Sequence, residues 1–480
     1  MVFNSVTFLC FLFIVVTSSW LLNRTARLYL FFIASLIFYG FWKIEFIFLM
    51  LTSVCVDYFL AIKIHQAMNE AIKKRYLILS VSINLSFLFI FKYLLFFTTN
   101  LTGLLSLIGL EYGVSPILYN IILPLGISFY TFQTISYTVD VYRGFIKPEK
   151  EFALFATYVT FFPQLVAGPI LRAKEVIPQL NEKRSLDIED IRIGLRRIIF
   201  GLFLKVVLAD NIAPLVDVGF SADVSLLSAF DVWTLAFLFG FQIYFDFGAY
   251  SHIALGCARL VGIKFPENFN FPYSSSSPRD FWKRWHISLS SWIRDYLYLP
   301  LTGSKVQDKS VGGITPVPSN STNVALFTTW AIMGLWHGAN WTFVMWGIYH
   351  ALAIMIYRLV MPYVPKSISS NMILAILVTL PFMMLGWIPF RAENIQDALL
   401  LMSKVFVVSE YTWMGLRENS YITAAILTFG VLVTKKVDDY FRNLNNNEII
   451  LLMESLLMCL MIPLIYIFLR PITQFIYFQF

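Results

Sequence analysis

"NVALFTTWAIMGLWHGANWTFVMWGIYHALAIMIYR" occupies residues 323–358. It is apolar enough and long enough to cross a membrane twice as a helical hairpin. Yet its middle, "GLWHGANW" (334–341), sets a histidine and an asparagine between two tryptophans. Polar and ionisable side chains in such a run are costly and mark either a helix–helix bridge or a functional site.

The rest of the chain has the same character. Apolar residues make up 58% of the 480 positions and charged ones 14%, where a soluble domain carries roughly 25% charged residues. Apolar blocks recur near 5–22, 28–42, 45–62, 76–98, 116–139, 198–217, 229–247, 373–390, 421–434 and 449–469. Lipid leaves a free backbone unsatisfied, and the alternating pattern of a membrane barrel is missing, so these blocks predict an all-α polytopic membrane protein. With the hairpin they amount to about twelve crossings.

No positive charge precedes the first block, and Arg24 and Arg27 follow it, which predicts an uncleaved span rather than a signal peptide. The basic loops 24–27, 63–75, 142–150, 172–197 and 435–442 fall on one side if every block crosses once. Lys and Arg accumulate on the cytoplasmic side, so both termini are expected outside. The net charge of +7 then reflects these loops and anionic lipid heads, with no case for nucleic acid. Cys10, Cys55, Cys257 and Cys459 lack the spacing of a metal site or a disulfide framework.

Two stretches do not read as simple crossings. "YVTFFPQLVAGPILR" (158–172) holds Pro163, Gln164, Gly168 and Pro169, which predicts a broken or re-entrant segment whose polar groups are received by protein or a water-filled cavity. "SPRDFWKRWHISLSSWIRDYLYLPL" (277–301) opens with Ser277 as N-cap, Pro278 in the first turn and Asp280 three residues after the cap. At about 100° per residue, Phe281, Trp285, Leu289, Trp292, Tyr296 and Leu299 share one face. Lys283, Ser290 and Arg294 take the opposite face, and His286 sits at the border. This basic face fits an interfacial helix resting on anionic lipid. It also fits the mouth of a cavity that receives a phosphate-bearing donor such as a coenzyme A thioester. No internal repeat is found, and the Gly, Pro and Ser-rich stretch 302–323 is the one linker-like segment, so residues 1–480 read as a single membrane domain.

Within the hairpin, His337 and Asn340 would share a helical face, with Gly334 and Gly338 admitting another backbone. A buried neutral imidazole can act as a general base, or it can bridge helices by hydrogen bonds. His350 reads either way. "FQIYFDFGAYSHIALG" (241–256) adds Asp246, Tyr250 and His252, and a carboxylate there is expected to cap a helix or pair with Arg259. Gln133, Asp140, Lys205 and Asp210 raise the same question. Serine and cysteine nucleophile signatures, a Walker loop and a dinucleotide fingerprint are missing.

At these residues the chain resembles the membrane-bound O-acyltransferase family, in particular its bacterial branch typified by the alginate O-acetyltransferase membrane protein. The likeness runs through "MVFNSVTFL", "LPLGISFYTFQTISYTVDVYRG", "FFPQLVAGPILR", "FPENFNFPY", "FWKRWHISLSSWIRDYLYLPL", "GLWHGANWTFVMWG" and the closing "FIYFQF". The chain departs from that branch at His252, where an acidic residue is common, and in the 302–323 loop, which lacks a short basic turn.

The resemblance implies a ring of helices with re-entrant and interfacial pieces, a motif core over about 120–350, and two cavities meeting at the active histidine. It places the main catalytic histidine at His337 and the second functional histidine at His286. Asn340, Trp336 and Asp246 would support them, and Lys283, Arg284 and Arg294 would meet the donor. The implied reaction moves acetyl from cytoplasmic acetyl-CoA toward an extracytoplasmic polysaccharide across a bacterial inner membrane, with no metal or resident cofactor. A periplasmic SGNH-type acetyltransferase is the implied partner. Tyr477 in the tail 475–480 either belongs to an aromatic anchor or, by resemblance, relays the acyl group. Alternatives are D-alanyl transfer to teichoic acid from a carrier-protein thioester, and a transporter or flippase, against which the lack of inverted repeats argues.

Overall fold

Polar caps and glycine contacts set the helices of this computed structural model, which describes residues 1–182, 187–304, 319–365, 367, 370–442, 447–471 and 475–476. Residues 305–318 of the linker-like loop, and Tyr477, lie outside the described residues. Among the described residues every regular element is a helix. Among the described residues, eight helices are long and apolar enough to cross a membrane. The other four blocks of the sequence count form the helices Val6–Leu21, Arg24–Gly40, Ile127–Tyr142 and Ser319–His337. The block 116–139 is not continuous. A short helical turn, Pro116–Tyr119, is separated from Ile127–Tyr142 by an irregular stretch ending at Gly126, whose φ is 73°.

The chain forms two compact units, the first comprising Met1–Ile198 with Ile253–Pro266. Here Ser5, Asn23 and Asn69 cap their helices by accepting the N–H of Phe8, Ala26 and Ala71. Asp57 is fully buried in the Glu45–Gln66 helix, and its carboxylate accepts Asn84 Nδ2 at 3.0 and 2.8 Å and Ser80 Oγ at 2.5 Å. A buried carboxylate supplied with such donors ties neighbouring helices together where lipid offers no hydrogen bonds.

The expected irregular segment is present after the Phe152–Thr160 helix, and residues 161–171 are all buried. Protein receives its polar groups. Gln164 Nε2 donates to the Tyr158 carbonyl at 2.8 Å and to Gln133 Oε1 at 3.2 Å, and Ser35 Oγ accepts the Phe162 N–H at 3.0 Å. Gly126 admits this segment, since a Cβ there would lie 2.3 Å from the Leu165 carbonyl oxygen.

The second unit comprises Ile199–His252 with the described residues of 267–304 and 319–476. Its centre is the hairpin of Ser319–His337 and Trp341–Val360. The arms meet backbone to backbone. A Cβ on Gly334 would sit 2.1 Å from the Phe343 carbonyl oxygen, and one on Gly347 would sit 2.1 Å from that of Trp330. Gly338, by contrast, makes room for a side chain, the Phe343 ring.

Gly334→Val is therefore expected to force the arms apart at a cost of about 1–3 kcal/mol or more. Gly430→Ala, where nothing lies within 4 Å, is expected to be neutral. Thermal melting of the two variants in detergent checks the contrast, and equal melting temperatures would contradict the packing.

Candidate active site

The hairpin turn sets His337. Its helix ends on that residue, and Asn340 caps the next one, accepting the Thr342 N–H at 3.1 Å while donating from Nδ2 to the Glu393 carbonyl at 3.3 Å. His337 and Asn340 thus flank a helix break and do not share the helical face expected of them. The capping preference of asparagine accounts for the start of the second helix at Trp341.

His337 is 5% exposed, and its Nδ1 is closed off from solvent. Trp336, Trp346 and Phe390 surround it, with ring centroids at 4.9, 5.0 and 5.3 Å. His350 belongs to the same aromatic cluster, with Trp282 at 4.9 Å and Trp346 at 5.0 Å. Trp346 thus lies against both His337 and His350.

His286 is positioned differently from the sequence expectation of one continuous helix. The helix Pro278–Arg284 starts as predicted, Ser277 Oγ accepting the Asp280 N–H at 3.1 Å, but it ends before His286, which takes a left-handed φ of 43° and precedes Ile287–Ile293. A neighbouring loop imposes the break. Asn268, buried in "FPENFNFPY", accepts from the Ser288 N–H and Oγ at 3.2 and 2.9 Å, and its carbonyl accepts the Ile287 N–H at 2.9 Å. On the other side of the break, Asn270 donates its N–H to the Arg284 carbonyl at 2.9 Å. Residues 279–299, on either side of His286, contain no Gly or Pro that would have announced this kink.

The break turns His286 inward, where it is 1% exposed and packs against Phe247 at 4.6 Å. Trp336 lies 6.3 Å from His286 and 4.9 Å from His337 between ring centroids. The two histidines singled out in the sequence are thereby both brought beside one indole.

The cationic residues of this segment face away from that cluster's closed interior. Lys283 and Arg294 are exposed, Arg284 Nε pairs with Asp280 at 3.0 Å, and Arg294 Nε pairs with Asp295 at 2.8 Å. His252 is half-buried against Phe200, at 4.8 Å between ring centroids.

Asp246 does not pair with Arg259, which instead meets Asp190 at 2.6 Å in the first unit. Its partner is Lys205 at 2.6 Å, and Lys205 also meets Asp210 at 2.9 Å. Asp246 and Arg259 lie on the one helix Ala229–Leu260, and 13 positions along a helix separate side chains by about 20 Å, beyond any ion pair.

Residues 149–388 match the family model of the membrane-bound O-acyltransferases. The peptidoglycan O-acetyltransferase of Helicobacter pylori is 38% identical over 394 residues, covering 76% of this chain and 71% of that protein. The probable alginate O-acetylase AlgI of Pseudomonas aeruginosa is 37% identical over 438 residues, covering 90% and 79%. The teichoic acid D-alanyltransferase of Bacillus subtilis is 29% identical over 288 residues, covering 57% and 70%. An all-helical membrane chain with this buried histidine cluster and these relatives belongs to the membrane-bound O-acyltransferase family, and it is an acyltransferase.

Proposed function

We propose that the chain takes an acetyl group from cytoplasmic acetyl-CoA and passes it across the bacterial inner membrane toward an extracytoplasmic polysaccharide. The thioester C–S bond breaks and an ester C–O bond forms. The proton leaves the acceptor hydroxyl and ends on the coenzyme A thiolate. His337 takes that proton as general base or is itself acylated in passing, and His286 orients the thioester or protonates the leaving sulfur. Asn340 holds the turn that presents His337. Lys283, Arg284 and Arg294 receive the donor phosphates, with the two arginines exchanging their carboxylate partners for phosphate.

The observation that carries this reading is that two buried histidines from separate segments of the chain lie beside the one indole of Trp336. Relatives named for alginate and peptidoglycan O-acetylation favour an acetyl group and an envelope glycan over D-alanine. Tyr477, outside the described residues, is the proposed acyl relay to the outer face, and a periplasmic SGNH-type transferase is the proposed recipient. Normal product from Tyr477→Phe would end the relay.

Deleting the gene and complementing it tests the whole reaction. Base-labile acetate on extracytoplasmic polysaccharide is expected to fall to background and return with the intact chain. Unchanged acetate, or a loss of D-alanine esters in its place, would overturn the acetyl reading.

A further inference from the structure

Asp246 stands near the middle of the Ala229–Leu260 helix, 3% exposed, and uses both carboxylate oxygens. Oδ1 meets Lys205 Nζ at 2.6 Å, and Oδ2 accepts the backbone N–H of Ile476, also at 2.6 Å. Lys205, 2% exposed, meets Asp210 at 2.9 Å and lies 4.7 Å from the centroid of the Phe475 ring. Tyr250 closes on the same ring edge-on at 5.2 Å. Phe475 and Ile476 are themselves buried, at 1% and 7% exposure.

A tail that merely rested in the membrane interface would not place a backbone amide on a buried carboxylate. Lys205 belongs to a π-helical turn, Leu204–Ala209, a feature that recurs at functional sites. Lys205 and Asp210 already balance one another, so the further carboxylate oxygen of Asp246 is matched to a donor from outside these helices. The charged acceptor takes a backbone N–H whatever the side chain, while the cation over the ring selects an aromatic residue.

We propose that Lys205, Asp210 and Asp246 form a docking site for an aromatic peptide segment. Its occupant is Phe475–Ile476 of this same chain, and the dock positions that segment for acyl transfer. Only this last consequence rests on the function proposed above.

The test reads the segment's exposure without acyl chemistry. Ile476→Cys, in a chain whose Cys10, Cys55, Cys257 and Cys459 are replaced by alanine, is treated with a water-soluble maleimide. Adding Asp246→Ala is expected to accelerate labelling about tenfold, the effect of losing a hydrogen bond to a charged acceptor. Lys205 keeps Asp210 in that variant, so no buried cation is stranded. Asp246→Asn retains an acceptor and is expected to restore slow labelling in part. Phe475→Ala leaves the ionic groups untouched and is expected to accelerate labelling about fivefold through loss of the cation–ring contact; this variant decides the matter if Asp246→Ala does not insert. Equal rates across the series would overturn the dock. Polymer acetylation is measured on the same variants: fast labelling with acetylation lost supports the positioning role, and fast labelling with full acetylation overturns it while the dock stands.

Discussion

His337→Phe is expected to insert and assemble like the native chain while losing acyl transfer by a factor of about 10²–10⁴, the range of a general base. The ring replaces an imidazole that touches Trp336, Trp346 and Phe390, so the aromatic packing survives and only the basic nitrogens are lost. His337→Ala removes the same chemistry but also leaves a void, at a cost of about 2 kcal/mol or more. Comparing the two by melting temperature and by polymer acetylation separates lost chemistry from lost packing. Both are expected to be inactive, with His337→Phe the more stable. Native acetylation in His337→Phe would remove the imidazole from the mechanism.

His286 carries the second large effect, and its backbone makes the choice of variant matter. Its left-handed φ of 43° costs an ordinary L-residue about 1–2 kcal/mol, whereas Gly and Asn adopt such a conformation readily. Alanine at this position would mix strain with loss of the ring. His286→Asn and His286→Gly keep the break and remove the imidazole. Both are expected to fold and to transfer acyl groups at least about 10²-fold more slowly, if His286 orients or protonates the leaving thioester. Thioester consumption by purified protein checks this, and a native rate for His286→Asn would leave His286 a purely structural role.

The parts of this molecule that sequence reveals are those set by local chemistry. The hairpin follows from the length of 323–358 and its glycines, and the kink at 161–172 from Pro163, Gly168 and Pro169. Ser277 starts its helix as a serine before proline should. What stayed hidden depends on partners far along the chain. Nothing in "WKRWHIS" breaks a helix; Asn268, 20 positions from Ser288, does so from outside. The Asp246 partners lie 41 and 230 residues away, and no local pattern carries such pairs. Arg259 attracted attention by its charge, although helical rise alone rules it out. The three-residue spacing of His337 and Asn340 suggests a shared helical face, yet they are the end of one helix and the cap of the next.

Purified protein in lipid vesicles, supplied with acetyl-CoA radiolabelled in the acetyl group, tests the central claim most directly. The account predicts that label leaves coenzyme A with the native chain and stays on it with His337→Phe. Equal thioester cleavage by both proteins, or passage of intact thioester without cleavage by the native chain, would contradict it.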